Sequence, residues 1–183
     1  MKYYRTITLK DGRECILRNG TEEDGRQALE NFIRAHYQTD NLLTYPDEIT
    51  FTAQEEGEYL KKKEDSDREA EILAIADGRV IGTAGIESLG DHEKTRHRCS
   101  FGVSIEEAYW GLGIGRALLS SCIECAKRAN YRQIELEVVS DNERAIGMYH
   151  QAGFVEYGRN PFGFITREGA YQELVLMRLD LMK

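Results

Sequence analysis

Three alternate glycines, Gly111, Gly113 and Gly115, stand between Trp110 and Arg116 in VSIEEAYWGLGIGRALL, where a strand-like run passes into a helical one. A chain shaped this way can hold phosphate. A helix N-terminus presents unpaired amides and the positive end of its dipole, and glycines admit a bulky anion without Cβ clashes. Arg116 adds a formal positive charge. A second constellation lies in SDNERAIGMYHQAGF, where Asn142 and Tyr149 are seven residues apart. At about 3.6 residues per turn this is close to two turns, so both project from one helical face. Asn142 is also a good helix cap and Tyr149 a good amphipathic core residue, so local roles stand beside chemical ones.

Spacing separates the motifs that compete for the glycines. A P-loop needs G-x-x-x-x-G-K-[ST], which is absent. A dinucleotide fingerprint needs G-x-G-x-x-G, but Arg116 stands where the third glycine should be, and the segment lies late in the chain. The string Trp110, Gly113, Gly115 resembles the R/Q-x-x-G-x-G/A loop of the GNAT family of N-acetyltransferases, departing from it at Trp110. The Asn142, Ala145, Tyr149 and Gly153-Phe154 series resembles the same family's second cofactor motif.

The resemblance covers about Ile72 to Leu181 and implies a single acyl-CoA N-acyltransferase domain over residues 1–183. Its fold would be α/β (α+β): a mixed, mostly antiparallel central sheet of six to seven strands with about four helices, splayed between the strands before and after the glycine-loop helix. Acetyl-CoA would be the acyl donor. Its pantetheine arm would lie on the backbone of Val103 and Ile105 with a polar contact from Asn142 nearby, its pyrophosphate on Trp110, Gly111, Gly113, Ile114, Gly115 and Arg116, and its sulfur near the Tyr149 hydroxyl, with Ala145 also contacting the cofactor. The acetyl group would pass directly to a primary amine of a small molecule or protein. The alternative is a catalytically silent acyl-CoA-binding or regulatory module.

Acyl transfer to an amine needs a neutral nucleophile, a stabilised oxyanion and a proton for the leaving thiolate. Tyr149 is the candidate acid. The base is less evident, because TRHRCSFGV holds no carboxylate where the family often has one. His97 shares strand parity with Cys99, Phe101 and Val103, and an imidazole is a chemical type suited to proton transfer near neutrality. Glu87 ends the preceding strand and could act through a water. The family's acceptor path points to Asp40 to Phe51 and Asn160 to Ala170, where Asp40, Asp47 and Glu48 would suit a cationic amine.

The bulk properties agree. A formal net charge of -8 argues against a broad nucleic-acid surface. Nothing resembles a membrane span or a secretory signal, so a cytoplasmic enzyme is expected, with no membrane partner. Cys122 and Cys125 have metal-like spacing, but they share a helical face with Leu118 and no second pair completes a zinc site, so no metal is expected. The resemblance allows a homodimer through the terminal strands, without support from the sequence itself.

The elements that would position these residues follow from local pattern. Strands Tyr3 to Leu9 and Glu14 to Arg18 flank Asp11-Gly12. Thr21 with Asp24 and Thr52 with Glu55 start two helices, ending near Tyr37 and Lys63. Glu71 to Glu87 reads as a hairpin around Asp77-Gly78. A strand from Arg96 to Ile105, a helix to about Ala129, a strand through Ile134, Leu136 and Val138, a short helix from Asn142 to Ala152 and a strand from Phe154 follow. Asn160-Pro161 and Gly163 should break the chain before a last strand from Tyr171 to Leu181.

Overall fold

The computed structural model describes residues 1–182. Strands β1 (Tyr4–Thr8) and β2 (Glu14–Asn19) open the chain. The Thr21 amide donates to Asp24 Oδ2 at 2.8 Å just before helix α1 (Gly25–Tyr37). Thr52 and Glu55 cap helix α2 (Ala53–Asp65) reciprocally, the Thr52 amide donating to Glu55 Oε2 at 2.7 Å and the Glu55 amide to Thr52 Oγ1 at 3.2 Å. Such a cap contributes about 1 kcal/mol. The two helices meet backbone to backbone, since a Cβ on Gly25 would stand 2.6 Å from the Gly57 nitrogen.

Strands β3 (Ala70–Ala76) and β4 (Arg79–Ser88) form the expected hairpin. Asp77 (φ 52°) and Gly78 (φ 74°) both adopt the left-handed conformation of a two-residue primed turn. Then come β5 (Arg98–Ile105), α3 (Ile114–Arg128), β6 (Gln133–Val139), α4 (Glu143–Gln151), β7 (Val155–Ile165) and β8 (Tyr171–Asp180).

All eight strands join one sheet in the order β1-β2-β3-β4-β5-β6-β8-β7. Among the described residues only β5 and β6 run parallel. The sheet is wider than the six to seven strands expected, because the opening hairpin is built into it: Ile16–Asn19 pair with Ile72–Ile75. The break expected at Asn160-Pro161 is a bulge within β7 instead. An edge strand tolerates a proline, whose missing N–H need not face a neighbour. Gly163 lies against the Leu174 side chain, where a Cβ would not fit.

Helix α3 covers one face of the sheet, packing Leu118, Leu119, Cys122 and Cys125 against Ile72, Ile86, Cys99 and Ile134. Both helix cysteines are buried and free, as their periodicity implied. Helices α1 and α2 cover the other face through Ala28 and Leu60, packed with Leu73 and Val80. Each buried Leu or Val contributes about 2 kcal/mol. Among the described residues no helix is long and apolar enough to cross a membrane, and no group of His, Cys, Asp or Glu is arranged to hold a metal ion.

Candidate active site

The site is organised by a divergence between β5 and β6. They pair only at Arg98, Cys99 and Ser100, while β5 stays paired with β4 from Cys99 to Ile105. The Glu106 amide donates to the Ile81 carbonyl at 3.1 Å. In an antiparallel ladder the hydrogen-bonded pairs alternate, so Ser104 and Gly102 also bond β4, whereas Phe101, Val103 and Ile105 turn their amides and carbonyls away from it. Beyond Ser100 those groups face a groove of about 1060 Å³.

The groove continues into the glycine loop. Gly111 and Gly113 have φ of 79° and 98°, and Gly113 is the N-cap of α3. The first bond onto the cap is Ala117 N to Gly113 O at 3.1 Å, so the amides of Ile114, Gly115 and Arg116 have no intrahelical partner. Gly115 allows close approach of α4, since a Cβ there would meet Met148 Sδ at 3.2 Å. Arg116 reaches across to the Gln151 side chain.

Trp110 has a local role that its departure from the motif concealed. Its Nε1 donates to the Ile105 carbonyl at 2.7 Å, closing the loop onto the end of β5. The Arg144 guanidinium lies 5.3 Å from its ring centroid, linking α4 to the loop. Asn142 caps α4, its Oδ1 accepting from the Ala145 amide at 3.2 Å, and it also lines the groove. Tyr149 is 6% exposed, with its ring against Phe101 and Phe154. Burial pushes its phenol pKa up. Among the described residues its hydroxyl makes no hydrogen bond to protein, and the residue lines the groove.

A chamber of about 650 Å³ lies on the α1/α2 side of β5. Leu42, Leu43 and residues 100–104 line both cavities. Phe32, Phe51 and Phe101 supply apolar wall, and Glu56, Tyr59, Glu71 and Glu87 supply a polar end. Burial pushes the Glu56 carboxyl up to about 7. Burial, then the nearby charge of Glu56, pushes Glu71 up to about 8.

The two candidate bases fare differently. Glu87 lines the chamber, but its Oε1 accepts from Lys63 Nζ at 2.7 Å and from the Tyr59 hydroxyl at 3.1 Å. His97 lies in the turn before β5, which begins at Arg98 and not Arg96. It lines neither cavity. Its carbonyl accepts from the Arg132 amide at 2.9 Å, at the closed end where β5 and β6 are still paired.

The acidic residues of the 40–51 loop likewise line neither cavity. Asp47 pairs with Arg167, and Glu48 accepts from the Tyr45 amide at 2.7 Å. Asp40 lines neither cavity. The loop contributes apolar wall through Leu42, Leu43 and Phe51.

Sequence reasoning missed Glu56, Glu71 and Ser104 in the chamber, and Glu106 behind the loop. Glu106 is 3% exposed and accepts from Asn31 Nδ2 at 3.0 Å, Arg34 Nε at 2.9 Å and Arg79 at 2.8 and 2.9 Å. It ties α1 and β4 to the point where the chain leaves β5. A lone glutamate heading the apolar run EILAIA is the one local signal that could have singled out Glu71.

The family model of the Acetyltransferase (GNAT) family matches residues 27–154. The chain belongs to that family. The N-alpha-acetyltransferase RimI of Mycobacterium tuberculosis is 33% identical over 87 residues, 48% of this chain and 52% of that protein. The L-methionine sulfoximine/L-methionine sulfone acetyltransferase of Salmonella typhimurium is 28% identical over 110 residues, 60% of this chain and 64% of that protein. Matches thus span about half to two thirds of these relatives. A GNAT-family acetyltransferase from Streptococcus pneumoniae superposes with a TM-score of 0.87 at 27% identity, over 91% of this chain and 99% of its own. The Salmonella typhimurium protein yncA, solved with acetyl-CoA, shares the GNAT fold at a TM-score of 0.80 and 21% identity, over 91% of this chain and 94% of its own.

Proposed function

We propose that this GNAT protein transfers an acetyl group from acetyl-CoA to a primary amine of a small molecule or protein, directly and without an acyl-enzyme. One observation carries this reading: an unpaired strand edge, from Phe101 to Ile105, runs into the free amides of a helix N-terminus and divides two cavities. Such an edge fits an extended, amide-containing arm, because its N–H and C=O groups need partners. The α3 amides fit a pyrophosphate, and Arg116 adds charge there.

The residues would divide the work as follows. Val103 and the Ile105 amide hold the arm, the Ile105 carbonyl being engaged by Trp110. Gly111, Gly113, Ile114, Gly115 and Arg116 cradle phosphate, while Asn142 and Ala145 fix the start of α4 beside it. The amine enters from the chamber, so donor and acceptor meet across residues 101–104. Tyr149, kept protonated by its apolar setting, donates its proton to the departing sulfur. His97 is not part of this scheme, because it lies at the closed end of β5. Glu87 remains at the chamber's rim, held by Lys63 and Tyr59.

The test is acetyl-CoA turnover against a panel of amines, with thiol release and acetylated product both measured. Binding of CoA without thiol release on any amine would instead indicate a silent acyl-CoA-binding module.

A further inference from the structure

The chamber's charge restricts what it can accept. Glu55, Glu56, Glu71 and Glu87 line it, and among the described residues no Lys or Arg does. The adjacent cation, Lys63, is turned onto Glu69 at 2.8 Å and Glu87 at 2.7 Å. From α1 the one titratable group facing the chamber is His36, whose Nδ1 lies 2.7 Å from the Phe32 carbonyl and whose pKa burial lowers. From α2, Tyr59 reaches Glu71 at 3.5 Å as well as Glu87.

Sheet register gives this acidic end a route to the reacting centre. Glu71 pairs with Gly85 across β3 and β4, and Gly85 pairs with Gly102 across β4 and β5. Directly opposed residues share a face, and neighbouring strands lie about 4.8 Å apart. The Glu71 carboxylate lies over Gly85, in the space a Cβ would need, while a Cβ on Gly102 would meet nothing within 4 Å. A trough floored by bare backbone therefore runs from the carboxylate to the free edge of β5.

An independent feature points to a ligand in the same place. Ser104, two residues from Gly102 on the same face, is 7% exposed and lines both cavities. Its hydroxyl is enclosed and, among the described residues, has no hydrogen-bond partner. Buried hydroxyls are normally paired, so an orphan at a cavity wall marks where a polar group is to arrive.

Building on the acetyltransferase reading, we propose that the chamber takes a small primary amine on an apolar body without a carboxylate, with Glu71 receiving the ammonium proton, Glu56 as its charge partner and Ser104 hydrogen-bonding the acceptor. The ammonium gives one proton to the Glu71 carboxylate. The neutral nitrogen then forms its bond to the thioester carbon, and the carbon–sulfur bond breaks. The nitrogen's second proton replaces the one Tyr149 gives to sulfur, leaving an amide and a free thiol. Glu71 releases the first proton to solvent. An amino acid would place its own carboxylate among the glutamates with no cation to offset it, so such acceptors are disfavoured.

The experiment is calorimetric binding of phenethylamine and of phenylalanine to CoA-saturated protein near neutral pH, in two buffers of different ionisation enthalpy. Phenethylamine should bind about 100-fold more tightly, because phenylalanine adds a like charge to the acidic chamber. Its binding should release protons as the carboxyl pair ionises. E71Q should cut the preference about ten-fold and reduce the proton release, while leaving CoA affinity within about two-fold, since the glycine loop is a separate site. S104A, which removes an unpaired hydroxyl and so threatens folding least, should weaken phenethylamine binding about five-fold. Equal or tighter binding of phenylalanine, tighter binding of a peptide amide with a free N-terminus, or an E71Q protein that keeps the preference undiminished would each overturn the proposal. The broader reading fails separately: phenethylamine that binds as described but is never acetylated would contradict acetyl transfer and leave the chamber's specificity standing.

Discussion

The carboxylate of Glu71 lies across the backbone of Gly85, in space that any other residue at position 85 would fill. Gly85→Ala should therefore expel the carboxylate, lowering kcat/KM for amines at least about ten-fold, with an overpacking cost of about 1–3 kcal/mol. If both changes act through that carboxylate, Glu71→Gln combined with Gly85→Ala should be no less active than Glu71→Gln alone. Additive losses in kcat/KM would show that Gly85 acts by another route.

Glu71 also links activity and stability in opposite directions. Its pKa is raised on folding, to about 8, so between the unfolded carboxylate value and that figure the native state binds more protons and stability falls as pH rises. Near pH 7, Glu71→Gln should raise Tm by a few degrees while lowering turnover. For the wild type, kcat/KM should climb with an apparent pKa in the range set by Glu56, about 7, and Glu71, about 8, as a property of the pair. Thermal melts and pH-rate profiles of both proteins check this. An unchanged rising, acid-side limb in Glu71→Gln would remove Glu71 from proton transfer.

Tyr149→Phe keeps the ring contacts with Phe101 and Phe154 and removes only the hydroxyl. Turnover should fall about 100-fold, the usual scale for a proton donor, with CoA affinity nearly unchanged. Comparable kcat in the variant would leave Tyr149 as a core residue.

Trp110 secures the glycine loop by its bond to the Ile105 carbonyl and its contact with Arg144. Trp110→Ala should weaken CoA binding about ten-fold, through loss of a hydrogen bond and loop order. Arg144→Ala should cost less, as an exposed cation–π contact contributes about 0.5–1 kcal/mol. Direct titration with CoA distinguishes the two, and equal losses would place the main contribution in Arg144 itself.

Glu106 provides a stability test away from the chemistry. Burial opposes its charge, but hydrogen bonds from Arg79, Asn31 and Arg34 prevail and hold its carboxyl below the usual range. Its contribution is present above the unfolded carboxylate pKa and is lost as pH falls through the lower folded value. Glu106→Gln should cost about 3 kcal/mol near neutrality and flatten the acid side of the stability curve. Urea melts at several pH values measure both effects.

Local features made the loop and α4 legible from sequence. Glycine spacing, the Asn142 cap and the two-turn interval to Tyr149 all lie within short stretches governed by helix geometry. Parity served less well for His97: it relates a residue to a face of a strand, not to a position along it, and His97 lies at the end where β5 and β6 remain joined. Glu71 was hidden for another reason. The Asp77-Gly78 turn pairs Ala76 with Arg79 and Ile75 with Val80, a register that would set Glu71 opposite Ala84. A bulge at Ala74/Ile75 shifts the pairing to Gly85. The chamber then joins residues from α1, α2, β3, β4 and β5, an assembly that only the folded sheet brings together.

Direct acetyl transfer is tested by turnover of acetyl-CoA with phenethylamine by the wild-type protein, following free thiol, N-acetylphenethylamine and the mass of the intact protein. Direct transfer yields thiol and acetylated amine in equal amounts, with no acetylated protein at any stage. Thiol release without acetylated amine, or transient acetylation of the protein, would contradict direct transfer.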